Sequence, residues 1–308
     1  MTVRLTWVDN NADETGHQIY RSLTPMDPAA LPTPIATVAA NITTYEDTDA
    51  PADTDCYYRV AAMRDGELAV SVESMINTGT GDGGGGEPVI ETDLYWDNVV
   101  LLMHLDGANN ATTTVDETGK VVQLIGNAVL STTSPKFGSA SALLDGTGDA
   151  IKVADSSAWS FGAGDFTIEF QVKHNVSSPV CTYIGSRYGS NGWSFMYFNG
   201  YLRVYINASL ESQMAWTPAA NTWYHLALTR EGTTLRYFVN GALLGSDTET
   251  LELNRNTTTS NPGLIVGSSY NGSYVDGLNG YMDEVRITKG VCRYTAAFTP
   301  PTKAFPIS

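Results

Sequence analysis

The sequence is poor in cysteine, in charged residues and in long apolar runs. Among its 308 residues there are only three cysteines, Cys56, Cys181 and Cys292, and none belongs to a C-x-x-C pair. We therefore predict reduced, packed thiols and no disulfide framework, and a Cys181–Cys292 bridge has no support. Charged residues make up 16% of the chain, against about 25% in average globular proteins. No apolar run approaches the roughly 20 residues that span a bilayer.

Basic residues are fewer than acidic ones. The chain has 17 Lys and Arg against 33 Asp and Glu, a formal net charge of −16. This charge argues against nucleic acid and anionic membranes as general partners, because both would repel it. The first residues alternate like a strand and lack the apolar segment of a secretory signal. We therefore expect a protein that folds in the cytoplasm, or a fragment.

Histidines give no sign of a metal centre. The four, at positions 17, 104, 174 and 225, form no pair at ligand spacing. His225 shares a predicted strand with Trp223 and Leu226 and is interpreted as a hydrogen-bonded histidine of a sandwich.

The sequence is rich in glycine and in short runs where apolar and polar residues alternate. Apolar residues alternate with polar ones in many short runs, such as Phe166-Thr-Ile-Glu-Phe170, separated by Asn-Gly and Asp-Gly turns. Residues 79–86 contain six glycines and predict a flexible tether. The pattern predicts an all-β protein with two sandwiches, at residues 1–78 and 94–308, joined by a Gly-rich linker over 79–93.

The first part carries Leu5-Thr-Trp-Val-Asp, Ile19-Tyr-Arg-Ser and Tyr57-Tyr-Arg-Val-Ala-Ala. With these motifs it resembles a fibronectin type III domain, an immunoglobulin-like sandwich. The resemblance implies that Tyr58 packs across the core, on the same face as Cys56 and Val60. It also implies a spacer or docking module.

The second part carries three long motifs in order, Trp96-Asp-Asn-Val-Val-Leu-Leu-Met-His-Leu-Asp-Gly107, Thr222-Trp-Tyr-His-Leu-Ala-Leu-Thr-Arg230 and Gly280-Tyr-Met-Asp-Glu-Val-Arg-Ile-Thr-Lys289. Together they resemble a laminin G-like, concanavalin A-like jelly roll. The opening and the segment Arg286–Pro301 are most similar to the version found in structural proteins of tailed bacteriophages.

Aspartates at turns are candidate ligands for a structural calcium ion, which takes oxygen ligands from irregular loops. The resemblance implies that Asp106, Asp116 and Asp283 approach one another. The alternative is that these aspartates cap turns through hydrogen bonds to the backbone. Asp283 and Glu284 are expected to point to opposite faces of a strand and not to act as a pair.

Tyrosines near turns are the candidate binding residues. Aromatic faces stack on sugar rings, and tyrosine suits wet interfaces. Trp193, Phe195 and Tyr197 alternate on one side of a strand and are assigned to the core. The better exposed candidates are Tyr188, Tyr201, Tyr270 and Tyr274. The alternative is ordinary sandwich core with tyrosines at its edges.

No catalytic residue is predicted. The nearest approach to a glucanase pattern is Asp247-Thr-Glu-Thr-Leu-Glu252, where the order of the first two acids is swapped. Our leading hypothesis is a non-enzymatic surface protein of a phage virion, at the tail or as a capsid decoration. Its first domain would contact other virion proteins, and its jelly roll, in many copies, would bind host surface glycans. The alternatives are a purely structural virion module, a carbohydrate-active enzyme fragment and a piece of an exported bacterial adhesin.

Overall fold

A computed structural model describes residues 2–7, 14–64, 66–71, 73–78, 93–177, 180–189, 191–207, 209–258 and 262–307. The chain divides into two compact units, Met1–Asp97 with Pro306–Ser308, and Asn98–Phe305. Apart from Asp93, the predicted linker lies outside the described residues. Within the described ranges, no helix has both the length and the apolar character needed to cross a bilayer.

The first unit contains two antiparallel sheets. The strands are β1 (Val3–Thr6), β2 (Gly16–Ser22), β3 (Ala36–Ala39), β4 (Thr44–Asp47), β5 (Asp55–Arg64), β6 (Glu67–Val70) and β7 (Ser74–Asn77). Strand β1 pairs with β4, and the second sheet has the order β3-β2-β5-β6, with β7 also on β5.

Tyr58 lies in the core of this unit. Cys56, Tyr58 and Val60 are all buried along β5, as the alternation of this strand predicts. The Tyr58 hydroxyl donates to Asp47 Oδ2 (2.8 Å), and Arg21 Nη1 donates to both oxygens of the same carboxylate. This buried polar group joins β2, β4 and β5. The assignment to the fibronectin type III family stays a prediction.

The second unit contains most of the strands. They are β8 (Val99–Met103), β9 (Val122–Ile125), β10 (Val129–Ser131), β11 (Ser141–Asp145), β12 (Ala150–Val153), β13 (Phe166–His174), β14 (Cys181–Tyr188), β15 (Asn191–Phe198), β16 (Tyr201–Ile206), β17 (Ser209–Ala215), β18 (Trp223–Glu231), β19 (Thr234–Val239), β20 (Ala242–Thr248), β21 (Leu264–Val266), β22 (Ser269–Tyr270), β23 (Tyr274–Val275) and β24 (Asn279–Lys289). Short 3₁₀ turns occur at Trp96–Asn98 and Ser157–Trp159.

These strands form two sheets that enclose one hydrophobic core. The eight-stranded sheet has the order β10-β11-β24-β13-β18-β19-β20, with β8 on β24. The nine-stranded sheet has the order β17-β16-β15-β14-β21-β12-β9, and its β22–β23 hairpin joins β14. Trp193, Phe195 and Tyr197 lie in the core, as predicted from their spacing. The all-β sandwich architecture predicted from the alternation is confirmed.

A polar layer lies on the other side of the eight-stranded sheet, beneath residues 291–305. Glu169, between the core residues Ile168 and Phe170, accepts hydrogen bonds from His225 Nε2 (3.2 Å) and Tyr294 Oη (2.7 Å). Its carboxylate and both partners are buried. His225 is therefore a hydrogen-bonded histidine of the sandwich.

A bulge corrects the expectation for Asp283 and Glu284. Strand β24 has one residue more than β13 between the pairs Glu169↔Arg286 and Gln171↔Asp283, and Glu284 takes a φ of 50°. A bulge interrupts strict alternation. Met282 and Val285 both lie in the hydrophobic core, so the two residues between them share the other face of the strand. The prediction that they face away from each other was wrong.

Candidate functional site

Three of the four predicted tyrosines meet at one place. Tyr188, the last residue of β14, pairs with Tyr270 of β22, and Tyr270 pairs with Tyr274 across the hairpin. The ring centroids of Tyr188 and Tyr270 are 5.8 Å apart, and those of Tyr270 and Tyr274 are 5.1 Å apart. All three side chains are half-buried, and none belongs to the hydrophobic core. We call these three residues the tyrosine cluster.

A short turn closes the hairpin that carries two of these rings. Gly272 has a φ of 108°, a conformation that suits glycine, and Asn271 N donates to Ser273 O (3.2 Å). Ser268 Oγ donates to Val275 O (2.9 Å) at the base of the hairpin. Backbone and side-chain bonds thus hold the two rings in position without using their hydroxyl groups.

Arg187 adjoins the tyrosine cluster in the chain. Its Nε donates to Gly189 O (3.0 Å), and its guanidinium lies 5.4 Å from the centre of the Tyr205 ring. Burial lowers the pKa of Arg187, while Tyr205 and Asp276 act in the opposite direction. In the described part of the chain, its two terminal nitrogens have no hydrogen-bond acceptor. Arg187 therefore lies with Tyr205, on the face of the sheet that points away from the core.

Tyr201 lies apart from the cluster, at the opposite end of the strands. Tyr201, Arg203 and Tyr205 alternate on β16 with core residues, and we call them the β16 row. The Arg203 guanidinium lies 5.6 Å from the Tyr201 ring centre, and its Nη1 donates to Tyr205 Oη (3.3 Å). The β16 row therefore connects Tyr201, through Arg203 and Tyr205, to Arg187.

Arg187, Arg203 and Tyr205 are not among the binding residues predicted from the sequence. The signal for the β16 row was present, because Leu202, Val204 and Ile206 predict that the residues between them face away from the core. Arg187 carried no comparable signal, since its contact with Tyr205 depends on the pairing of β14, β15 and β16.

Both carboxylate oxygens of Asp116 accept hydrogen bonds, from its own turn and from β8. Oδ1 accepts from Leu102 N (2.8 Å) and Thr118 N (3.3 Å), and Oδ2 accepts from Thr118 Oγ1 (2.6 Å) and Lys120 N (3.0 Å). A carboxylate with these partners ties the turn to β8, which is the capping alternative foreseen for it.

Asp106 and Asp283 also have backbone partners. Asp106 Oδ1 accepts from Ala140 N (2.9 Å) and from Ser139, while Asp283 Oδ2 accepts from Lys136 N (2.8 Å). Asp283 Oδ1 is buried without a hydrogen bond. Burial raises the pKa of Asp283 to about 8.

The three aspartates do not assemble into the predicted calcium site. Over the described residues, no group of three His, Cys, Asp or Glu side chains is arranged to hold a metal ion. Asp116, whose lone pairs are occupied, does not fit such a site. Calcium binding stays a prediction, and no function is derived from it.

The acids of the weak glucanase pattern serve local turns. Glu249 Oε1 accepts from Leu251 N (2.6 Å), Glu252 Oε2 accepts from Asn254 Nδ2 (2.8 Å), and Asp247 Oδ1 accepts from Thr248 N (2.8 Å). These bonds give each acid a structural role in the strand end or turn where it lies.

Comparison with known proteins identifies the type of domain. Residues 145–293 match the family described as the concanavalin A-like lectin/glucanases superfamily. The second unit therefore contains a concanavalin A-like jelly roll, as its motifs predicted. No curated protein matches the chain.

Solved structures resemble the chain at low identity. One is domain 4 of AbnA, an extracellular arabinanase of Geobacillus stearothermophilus, in complex with arabinotriose: 18% identity, 63% of this chain, 95% of that chain, TM-score 0.46. Another is the binding domain of botulinum neurotoxin DC in complex with rat synaptotagmin II: 17% identity, 65% of this chain, TM-score 0.46. The chain spans 50% of that neurotoxin domain.

Proposed function

We propose that the jelly roll binds carbohydrate, without catalysis, through the tyrosine cluster. The observation that carries the proposal is the meeting of Tyr188 with Tyr270 and Tyr274, two rings of a hairpin distant from it in the chain, at one end of a sheet. All three rings are half-buried and lie outside the core. The hairpin that carries Tyr270 and Tyr274 is held by bonds that do not involve their hydroxyl groups. Rings presented in this way offer apolar faces and polar edges together, which suits a sugar.

The local bonds of the candidate acids support a binding role. A glycosidase needs two carboxyl groups about 5–10 Å apart across the bond that it cleaves. Glu249 and Glu252 instead hydrogen-bond neighbours two residues away. A binding protein needs no such pair.

We further propose that the protein is displayed on a phage virion, with the first unit contacting other virion proteins. The support is the resemblance of residues 286–301 to phage structural proteins and the immunoglobulin-like first part. Many copies on one particle would raise avidity by about 10²–10⁴ over a single site. Electron microscopy of particles carrying a labelled copy tests this placement, and absence of label from every particle would overturn it.

A glycan array probed with the full chain, multimerised on a scaffold, tests carbohydrate binding. We expect bound glycans, with the signal lost in Tyr270→Ala. The matched control is Tyr281→Ala, which removes a half-buried tyrosine of the other sheet that contacts Lys173 and Trp223. A blank array for the unmodified protein would overturn the proposal and favour the purely structural module.

A further inference from the structure

The β16 row lies on the outer face of the nine-stranded sheet. The residues that alternate with it along β16 belong to the hydrophobic core, so the row points away from the core. Ile184 of β14 also lies in the core, and the register of β14 with β15 is unbroken from Ile184 to Tyr188. Arg187 therefore points outward with the β16 row, and Tyr188 points to the opposite face. The surface around Arg187 is thus separate from the tyrosine cluster.

Aromatic rings hold both arginines of this face. The Arg203 guanidinium lies 4.9 Å from the centre of the Phe198 ring and 5.6 Å from that of Tyr201. Its Nη1 donates to the hydroxyl of Tyr205, and the Arg187 guanidinium lies over the ring of the same tyrosine. Arginine stacks well on aromatic faces. A side chain held in this way loses less conformational freedom when it binds a partner.

Neither arginine has an acidic partner. In the strand register Arg187 lies opposite Gly192, and Arg203 lies between Met196 and Gln213. Sheets often place opposite charges across from each other, but here every register partner is uncharged. Over the described ranges neither arginine forms an ion pair, although Asp276 attracts Arg187, and Arg203 Nε is buried without an acceptor. Two oriented cations are therefore left without a counter-charge in contact.

Exposed apolar side chains flank the two arginines. Phe198, which is 39% exposed, pairs with Tyr201, and Leu210, which is 41% exposed, pairs with Tyr205. We call Arg187, Phe198, Leu210 and the β16 row the arginine patch. Aromatic residues and arginine are enriched in the centres of protein interfaces, where they carry much of the binding energy. This composition favours a protein as the partner.

We propose that the arginine patch binds an acidic, extended segment of another protein. A guanidinium donates two parallel hydrogen bonds to one carboxylate. In an extended segment, alternate residues lie on one face about 7 Å apart. Two acids at such positions match two guanidinium groups that contact one tyrosine. The apolar residues of the patch would contact the side chains that flank these acids. The inference does not depend on carbohydrate binding.

The charge of the chain limits where such a segment can bind. With a formal net charge of −16, most of the surface repels an acidic partner. The arginine patch offers attraction at short range, and the surrounding repulsion disfavours other positions. We therefore expect a short acidic stretch to bind more tightly than a long polyanion.

The test compares matched acidic and neutral peptides. The probes are synthetic decapeptides with glutamate at every second position and threonine, valine or tyrosine between, beside the same peptides with glutamine in place of glutamate. Calorimetry with the full chain measures their dissociation constants. We expect the acidic peptides to bind roughly 10- to 100-fold more tightly, because charge-assisted hydrogen bonds are stronger than neutral ones. Salt should weaken the acidic peptides more than the neutral ones.

Variants assign the binding to the two arginines. Arg187→Gln and Arg203→Gln should each weaken the acidic peptides about tenfold and leave the neutral peptides unchanged. Lys152→Gln is the matched control, since Lys152 lies between core residues on β12 and faces outward from the same sheet. It removes the same charge and should have little effect. Melting curves show whether each variant is folded.

A reversal of charge separates recognition from a structural role. The double variant Arg187→Glu with Arg203→Glu should lose the acidic peptides and bind peptides with lysine in place of glutamate. A structural role alone would not transfer binding in this way. Tyr270→Ala should leave peptide binding unchanged, so failure here is distinguishable from failure of carbohydrate binding.

Four results would overturn the inference. They are absence of peptide binding, equal binding of acidic and neutral peptides, an acidic preference that survives in both glutamine variants, and an equal loss in Lys152→Gln. Binding of oligogalacturonate instead of peptides, lost in Arg203→Gln, would assign the arginine patch to acidic glycans and overturn it as well. A dimer in sedimentation that Arg203→Gln abolishes would replace the partner protein with a second copy.

Discussion

Arg286 Nε donates a 2.9 Å hydrogen bond to Glu169 Oε1, and both side chains are wholly buried beneath residues 291–305. The ring of Phe305 lies 3.7 Å from the Arg286 guanidinium. Burial raises the pKa of Glu169, but attraction to Arg286, with His225 and Arg293, outweighs it and holds the pKa well below its usual range. This ion pair joins β13 to β24 under the C-terminal segment.

Arg286→Met should destabilise the second unit strongly. The substitution leaves a buried carboxylate with weaker partners, which costs about 3–5 kcal/mol. The measurement is urea unfolding of the full chain, followed on the transition of the second unit. Arg255→Met is the control: its ion pair with Asp155 is partly exposed, and its loss should cost about 0.2–1 kcal/mol. An equal decrease in the free energy of unfolding for the two variants would contradict the importance of the buried ion pair.

Asp283 predicts a dependence of stability on pH. Its pKa is raised to about 8 by burial, against about 3.9 in an unfolded chain. Between these values the folded state holds a proton that the unfolded state has released. Stability therefore falls as pH rises from about 4 to about 8, by up to about 1.4 kcal/mol per pH unit.

Asp283→Asn isolates this effect, because an amide oxygen can still accept from Lys136 N and Phe137 N. We expect the variant to gain stability over the unmodified protein at pH 8 and little at pH 4. Melting curves across this range measure the difference. His104, whose pKa is raised by Glu284 against the effect of burial, titrates in both proteins and cancels. A constant difference at all pH values would contradict the prediction.

Chelation tests the calcium prediction, and the bonds of Asp116 lead us to expect no effect at the predicted site. Four hydrogen bonds, from Leu102 N, Thr118 N, Thr118 Oγ1 and Lys120 N, leave Asp116 no lone pair for an ion in the predicted site. We expect the same melting temperature with and without a chelator, since only a bound ion would stabilise the folded state. A lower melting temperature in chelator, restored by added calcium, would support the calcium prediction instead.

The three thiols should be unreactive in the native protein. Cys56, Cys181 and Cys292 are buried, and burial raises the pKa of Cys181 to about 12 and that of Cys292 to about 11. The thiolate is the reactive form, so both factors slow the reaction. A thiol reagent should modify none within minutes in buffer and all three in urea. Rapid modification of a native thiol would place it at the surface.

The positions of the strands and the faces that they turn to the core could be predicted from the sequence. Alternation placed Trp193, Phe195 and Tyr197 in the core and Tyr58 beside Cys56 and Val60. A side-chain period of two depends only on backbone geometry, so each strand carries this information in its own residues.

The candidate site could be predicted from the sequence only in part. Four tyrosines were chosen because they lie near turns, and three of them meet. The calcium hypothesis placed Asp116 with Asp106 and Asp283, yet hydrogen bonds within four residues and to β8 occupy Asp116. The bulge at Glu284 was also missed, since one extra residue in β24 leaves no local pattern.

The sequence by itself determined the class of fold, the inward face of the strands and the scarcity of positive charge. Only the tertiary structure decided that Tyr188 lies against Tyr270 and that Arg187 lies over Tyr205. The reason is physical. Local alternation decides which way a side chain points, but the order of strands in a sheet decides its neighbour, and that order depends on packing of the whole core.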